Sequence, residues 1–249
     1  MQKMRTNTLP KISFTVDRNA EKRVTNYFLN TRKKNLTGMD EFGKFIRDFQ
    51  ELHKTKELSK KEAQKIIFPF IEKYYHKNEQ ELLKKRREIE QAWQTKAEGF
   101  FLATQKIFDN HPWPKGKYTA NLSIFAMYRL KPNTKVFSIP IDDAGGYENA
   151  TGHINYTLIH ELMHIYVEDY YKKYFKDSLQ LDQYYDLLEI VNFIALNLPK
   201  IKEYAVWFTN PYPNHRERCA QAQKFYAESK SMKEFFKGLI SYLKETKDQ

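Results

Sequence analysis

Two histidines four residues apart, with a glutamate beside the first, are the residues of this chain best suited to chemistry: His160-Glu161-Leu162-Met163-His164. On a helix, residues four apart lie one turn above each other, so both imidazoles point the same way and can close on one metal ion. Two histidines and one carboxylate leave a zinc coordination position open for water, whose pKa falls to about 7. Glu161 is placed to take that water's proton and pass it to a leaving amine. Leu158, Ile159, Leu162, Met163, Ile165 and Tyr166 surround the pair, so the helix is expected to be buried on most sides. Its polar stripe is then Thr157, His160, Glu161, His164 and Glu168, which a buried helix must satisfy with metal or with hydrogen bonds.

A third protein ligand is required. Glu189 stands alone in the apolar run Leu187-Leu188-Glu189-Ile190-Val191, where an unpaired carboxylate is expensive. A cationic partner explains it, either the metal ion or a core lysine or arginine. Glu168 and Asp186 are the next candidates. A glycine and a further histidine past His164 would define another ligand set, but those positions hold Val167 and Tyr170.

On these residues the block from about 121 to 198 resembles the gluzincin type of zincin-like metallopeptidase. That resemblance implies zinc held by His160, His164 and Glu189, with Glu161 as general base in peptide-bond hydrolysis. It also implies a strand pair bordering the cleft, and a tyrosine or histidine after the Glu189 helix that stabilises the oxyanion, for which Tyr212 and His215 are the candidates. The chain departs from the thermolysin-like members four residues past the glutamate, where Phe193 replaces an aspartate that orients a histidine; Asp186 or Asn192 is then left for that task.

The elements that must position these groups follow from periodicity. Phe42, Phe45, Ile46, Phe49 and Leu52 recur at the helical period. Ser59 to Glu62 forms a capping box that opens a helix carrying Ala63, Ile66, Ile67, Phe70 and Ile71, with a kink expected at Pro69. A long helix over about 79–108 ends at His111-Pro112-Trp113-Pro114. Leu122, Ile124, Ala126, Tyr128 and Leu130 alternate with other residues as in a strand, and a returning strand over 135–139 completes an expected antiparallel hairpin. Helices are expected over 155–175, 181–198, 215–228 and 231–245. The fold class is α+β, mostly helical, and the simplest expectation is one compact domain with a zincin-like core at 111–249 and a helical N-terminal region at 1–110, either a lobe of that domain or separate from it.

Composition bounds the rest. With 41% hydrophobic and 15% aromatic residues, the chain can bury a ring-rich core. One cysteine, Cys219, excludes an internal disulfide framework. No stretch reaches the roughly 18 apolar residues of a membrane span, and no secretory signal opens the sequence, so the expectation is a soluble, cytoplasmic protein. The formal charge of +11 raises nucleic acid as a partner, with Lys84-Lys85-Arg86-Arg87 as the densest basic run. Glu81, Glu88 and Glu90 on the same helix favour an ordinary solvated face. Three functions remain. One is a zinc peptidase acting on peptide or protein. Another is a non-catalytic zincin-fold regulatory or binding protein, and the weakest is a nucleic-acid-associated protein with a structural histidine cluster. His153 and His111 read as cap or helix-terminal residues.

Overall fold

The computed structural model describes residues 9–31, 40–126, 129–131, 134–142, 150–176, 178–205 and 210–246, with backbone alone at Glu41, Arg129 and 150–155. The described chain is mostly helical and carries one small sheet. It divides into two compact units that interleave in sequence. One comprises Met1–Lys11, Thr95–Lys117 and Leu162–Gln249; the other comprises Ile12–Gln94 and Tyr118–Glu161. Residue 110, at the proline break, lies inside the first of these.

The second unit holds the sheet: β1 (Ile12–Thr15), β2 (Tyr118–Ser123), β3 (Arg129–Leu130) and β4 (Val136–Pro140), in the order β1-β2-β4-β3. β1 runs parallel to β2, with Phe14 opposite Ala120, and β2 runs parallel to β4, with Ala120 opposite Phe137. This corrects the expected antiparallel hairpin. The strand does not continue from Leu122 to Leu130; it ends at Ser123, and only Arg129 and Leu130 pair antiparallel with β4. The cause is local. Glu21 takes the Ile124 amide at 3.1 Å and the Ser123 hydroxyl takes the Phe125 amide at 3.0 Å, so both donors are turned away from a ladder. Phe125 then turns into an aromatic cluster, with ring centroids 4.1 Å from Phe45 and 5.4 Å from Phe49. A side chain with that destination cannot keep the alternation of a strand.

Helices complete this unit. In α1 (Arg18–Thr31), Ala20, Val24 and Phe28 fall four apart and are all buried. α2 (Glu41–Phe45) is capped by Asp40, whose carboxylate accepts the Gly43 amide at 2.7 Å. α3 (Lys60–Lys77) begins with the expected capping box and continues through Pro69 as one helix. The side of α1 that faces α3 and β2 buries Glu21, 3% exposed, and its carboxylate accepts from Tyr75 Oη at 2.7 Å, Ser123 Oγ at 2.7 Å and Ile124 N. Burial pushes its pKa up to about 7, against the lowering effect of those hydrogen bonds.

The first unit takes the end of α4 (Glu79–Ile107) and most of α5 (Ala150–Tyr174). It also holds α6 (Leu181–Leu196), the short α7 (Pro199–Lys202), α8 (Arg216–Glu228) and α9 (Met232–Glu245). α6 stops at Asn197, and Pro199 opens α7 at its first turn, where a missing amide costs nothing. α6, α8 and α9 pack on one another. A ring core joins them to α5: Phe108 lies 5.2 Å from Tyr166, and Tyr170 lies 5.0 Å from Phe236. Asp109 and Asn110 adopt positive φ values of 54° and 59°, a conformation that costs less for Asp and Asn than for most residues. That turn delivers the Asp109 carboxylate to the Met232 and Lys233 amides and to Tyr170 Oη, so it caps α9 together with Ser231.

Candidate metal centre

α5 carries the motif because almost everything around it is apolar and buried: Leu158, Ile159, Leu162, Met163, Ile165, Tyr166 and Val167 are at most 4% exposed. The expected helix over 155–175 is present and starts earlier, at Ala150. His160 and His164 therefore stand one turn apart on a helix that has little freedom to rotate. α6 presents Glu189 from between Leu187, Leu188, Ile190 and Val191, all buried, while the Glu189 side chain itself is 30% exposed.

A nitrogen from each of His160 and His164 and a carboxylate oxygen of Glu189 all lie within 4.8 Å of one another. His164 Nε2 is 3.5 Å from Glu189 Oε1. That separation is too long for a strong hydrogen bond. It is close to the roughly 3.4 Å expected between two ligand atoms each about 2.1 Å from a shared tetrahedral ion. The donor types and their grouping are compatible with a bound metal ion. Burial pulls the pKa of His164 down to about 4, against the charge of Glu168, so its imidazole is neutral near pH 7, the form that offers a lone pair.

The other candidate ligands are engaged elsewhere. Glu168 accepts from Lys172 at 2.6 Å and Tyr184 Oη at 3.0 Å. Asp186, one turn before Glu189 on α6, binds His215 Nε2 at 2.9 Å and the Arg218 guanidinium. His215 is 8% exposed and is set by a short 3-10 turn, Pro213–His215, in which its amide donates to the Tyr212 carbonyl at 2.8 Å. Tyr212 packs edge-on against it, with ring centroids 6.0 Å apart. Glu161 is 4% exposed, beside His160 on α5. Asn192 is fully buried on α6.

Three features of this region were not evident from sequence. Arg218 joins the Asp186–His215 pair through Asp186, which lies 32 residues away with no shared motif. Cys219 is buried on α8, and burial together with the charge of Glu189 pushes its thiol up to about 12. His111, expected to be a simple helix-terminal residue, is 2% exposed, pairs with Asp169 at 2.8 Å and packs against the rings of Tyr166, Tyr170 and Tyr174. The His153 side chain lies outside the described residues.

Lys84 and Lys85, two of the four residues of the basic run on α4, meet acidic partners. Lys85 meets Glu81 at 2.9 Å and Asp142 at 2.6 Å, and Lys84 lies 3.8 Å from Glu88. Partial burial pulls the Lys85 pKa down, but hydrogen bonds to Asp142 and Glu81 outweigh it and raise the value to about 12. Among the described residues no helix is long and apolar enough to cross a membrane. Comparison with protein-family profiles, with curated proteins and with solved structures finds no match.

Proposed function

We propose that the chain is a zinc-dependent peptidase of the gluzincin type. The observation that carries this reading is the convergence of His160, His164 and Glu189 donor atoms within 4.8 Å, with Glu161 next to the first histidine in sequence. His160, His164 and Glu189 would hold zinc, which when bound acidifies water and polarises a peptide carbonyl. Glu161 takes the proton from the attacking water and delivers it to the leaving amine, so one carboxyl acts first as base and then as acid. Asp186 orients His215, and His215, with Tyr212 beside it, is the candidate donor to the carbonyl oxygen as that oxygen gains charge. Arg218 neutralises Asp186 and fixes its second oxygen.

A zinc-holding protein without turnover needs the three ligands but has no use for Glu161, which favours the enzyme. The nucleic-acid reading is weaker, because Glu81 and Glu88 share the helix of the basic run and Lys85 is held by Glu81 and Asp142. The test is hydrolysis of a mixed peptide pool by purified, zinc-loaded protein. Cleavage that stops with a chelator, returns with zinc and is absent in Glu161→Gln is expected. A zinc-loaded chain that cleaves no peptide contradicts the enzyme reading and leaves the binding protein.

A further inference from the structure

The described residues expose three large apolar side chains: Leu102, Leu181 and Tyr185. Leu102 is isolated on α4, and single exposed leucines need no explanation. The other two sit one turn apart on α6, at 65% and 53% exposure, and Glu189 follows Tyr185 by one further turn. One turn beyond Glu189 comes Phe193, which is half-buried. The accessible stripe of α6 therefore reads Leu181, Tyr185, Glu189, Phe193, while Leu187, Leu188, Ile190, Val191 and Ile194 point into the core. A carboxylate of the candidate metal centre thus lies in the middle of an apolar track.

The spacing of that track has a match. Residues four apart on a helix are separated by about 6 Å along its axis. Side chains on one face of an extended peptide recur every two residues, about 6.6–6.8 Å apart. Residues four apart also turn by about 40° around the axis, so adjacent members of the stripe, such as Tyr185 and Glu189 or Glu189 and Phe193, can meet alternate side chains of one extended segment. Exposed aromatic and aliphatic groups that border a site, with polar Asp186, His215 and Arg218 beside them, are the composition of a recognition surface.

Resting on the peptidase reading, we infer that this stripe of α6 reads the substrate. It selects an extended peptide segment with large apolar side chains at alternating positions, one set of contacts on Leu181 and Tyr185 and another on Phe193, across Glu189. Phe193, the position at which the chain departs from the thermolysin-like pattern, is then a specificity residue.

Binding separates this inference from catalysis. The zinc-loaded Glu161→Gln chain is titrated against fluorescein-labelled octapeptides, one with Phe and Leu at alternating positions and one with Ser there, and anisotropy gives each Kd. The apolar peptide is expected to bind at least about tenfold tighter, and Tyr185→Ser in the same background to remove most of that ratio, with Leu181→Ser removing less. Both substituted positions are exposed, and thermal melts verify that the variants fold. Equal binding of the two peptides, or a ratio untouched by Tyr185→Ser, overturns the inference. So does sedimentation showing a dimer that Tyr185→Ser dissociates, which makes a second copy the occupant. Tyr185-dependent binding of a peptide that wild type does not cleave would retain the inference and sink the peptidase reading. Cleavage without apolar preference does the reverse.

Discussion

Glu21 and Glu189 are both glutamates set among apolar residues, one in each compact unit, and they are satisfied by different chemistry. Glu21 is 3% exposed and accepts from a tyrosine hydroxyl, a serine hydroxyl and a backbone amide. Its partners are neutral donors that also end β2, so its role ends with the fold. Glu189 faces His164 at a distance too long for a good hydrogen bond, with a second imidazole in reach. A carboxylate among hydroxyls and amides is a structural device, whereas one beside two imidazoles, of which His164 is held neutral by burial, points to a cation. Glu21 is the more deeply buried of the two, and the type of the neighbours separates their roles.

That contrast can be broken by substitution, beginning with the largest effect. Glu161→Gln keeps size and shape but cannot carry a proton, so kcat on a cleaved peptide is expected to fall by about 10²–10⁴-fold while zinc content and thermal stability hold. Loss of zinc in this variant would make Glu161 a ligand and break the assignment of roles. His215→Ala removes the candidate oxyanion donor and is expected to cost about 10²–10³-fold in kcat with KM little changed. A KM effect alone would move His215 from the reacting carbonyl to substrate binding.

Glu21 supplies the counter-case. Glu21→Ala leaves three buried donors without their acceptor and is expected to lower stability by on the order of 3 kcal/mol near pH 5, read by urea unfolding, with zinc content unchanged. Its pH dependence sharpens the comparison. The folded pKa, about 7, lies above the ordinary 4.5, so the folded state holds this proton more tightly than the unfolded chain. The stability it contributes is complete below about pH 4.5, falls as pH rises toward 7, and is gone above that. The fall amounts to roughly 3 kcal/mol at 1.36 kcal/mol per pH unit. The wild-type stability minus that of Glu21→Gln, measured from pH 4.5 to 8, isolates it from the other carboxylates. A flat difference would mean that the three hydrogen bonds keep Glu21 ionised throughout.

How much of this could be read in advance depended on the range of the interaction. The capping box at Ser59 and the alternation of buried and polar positions along α5 and α6 are local, and a local period exposes them. The grouping of these three residues was legible for the same reason: helical spacing sets His160 and His164, and an isolated carboxylate in an apolar run marks Glu189. The sheet was not. β1 and β2 are about a hundred residues apart, and nothing near Ile12 announces a parallel partner at Tyr118. The alternation through Leu122 to Leu130 was misleading because Glu21, a residue on α1, captures the amide at which the strand stops. Asp186, His215 and Arg218 each suggested a role or none, and only folding α8 onto α6 joins them.

The central claim is that His160, His164 and Glu189 hold one zinc ion, and metal analysis of purified protein tests it most directly. Inductively coupled plasma mass spectrometry on wild type dialysed against zinc-containing buffer is expected to give about one zinc per chain. Glu189→Gln and His164→Ala should bind it at least tenfold more weakly, and Glu21→Gln should bind it like wild type. Wild-type protein that is folded by circular dichroism yet retains no zinc, or Glu189→Gln protein that holds zinc as tightly as wild type, would contradict the account.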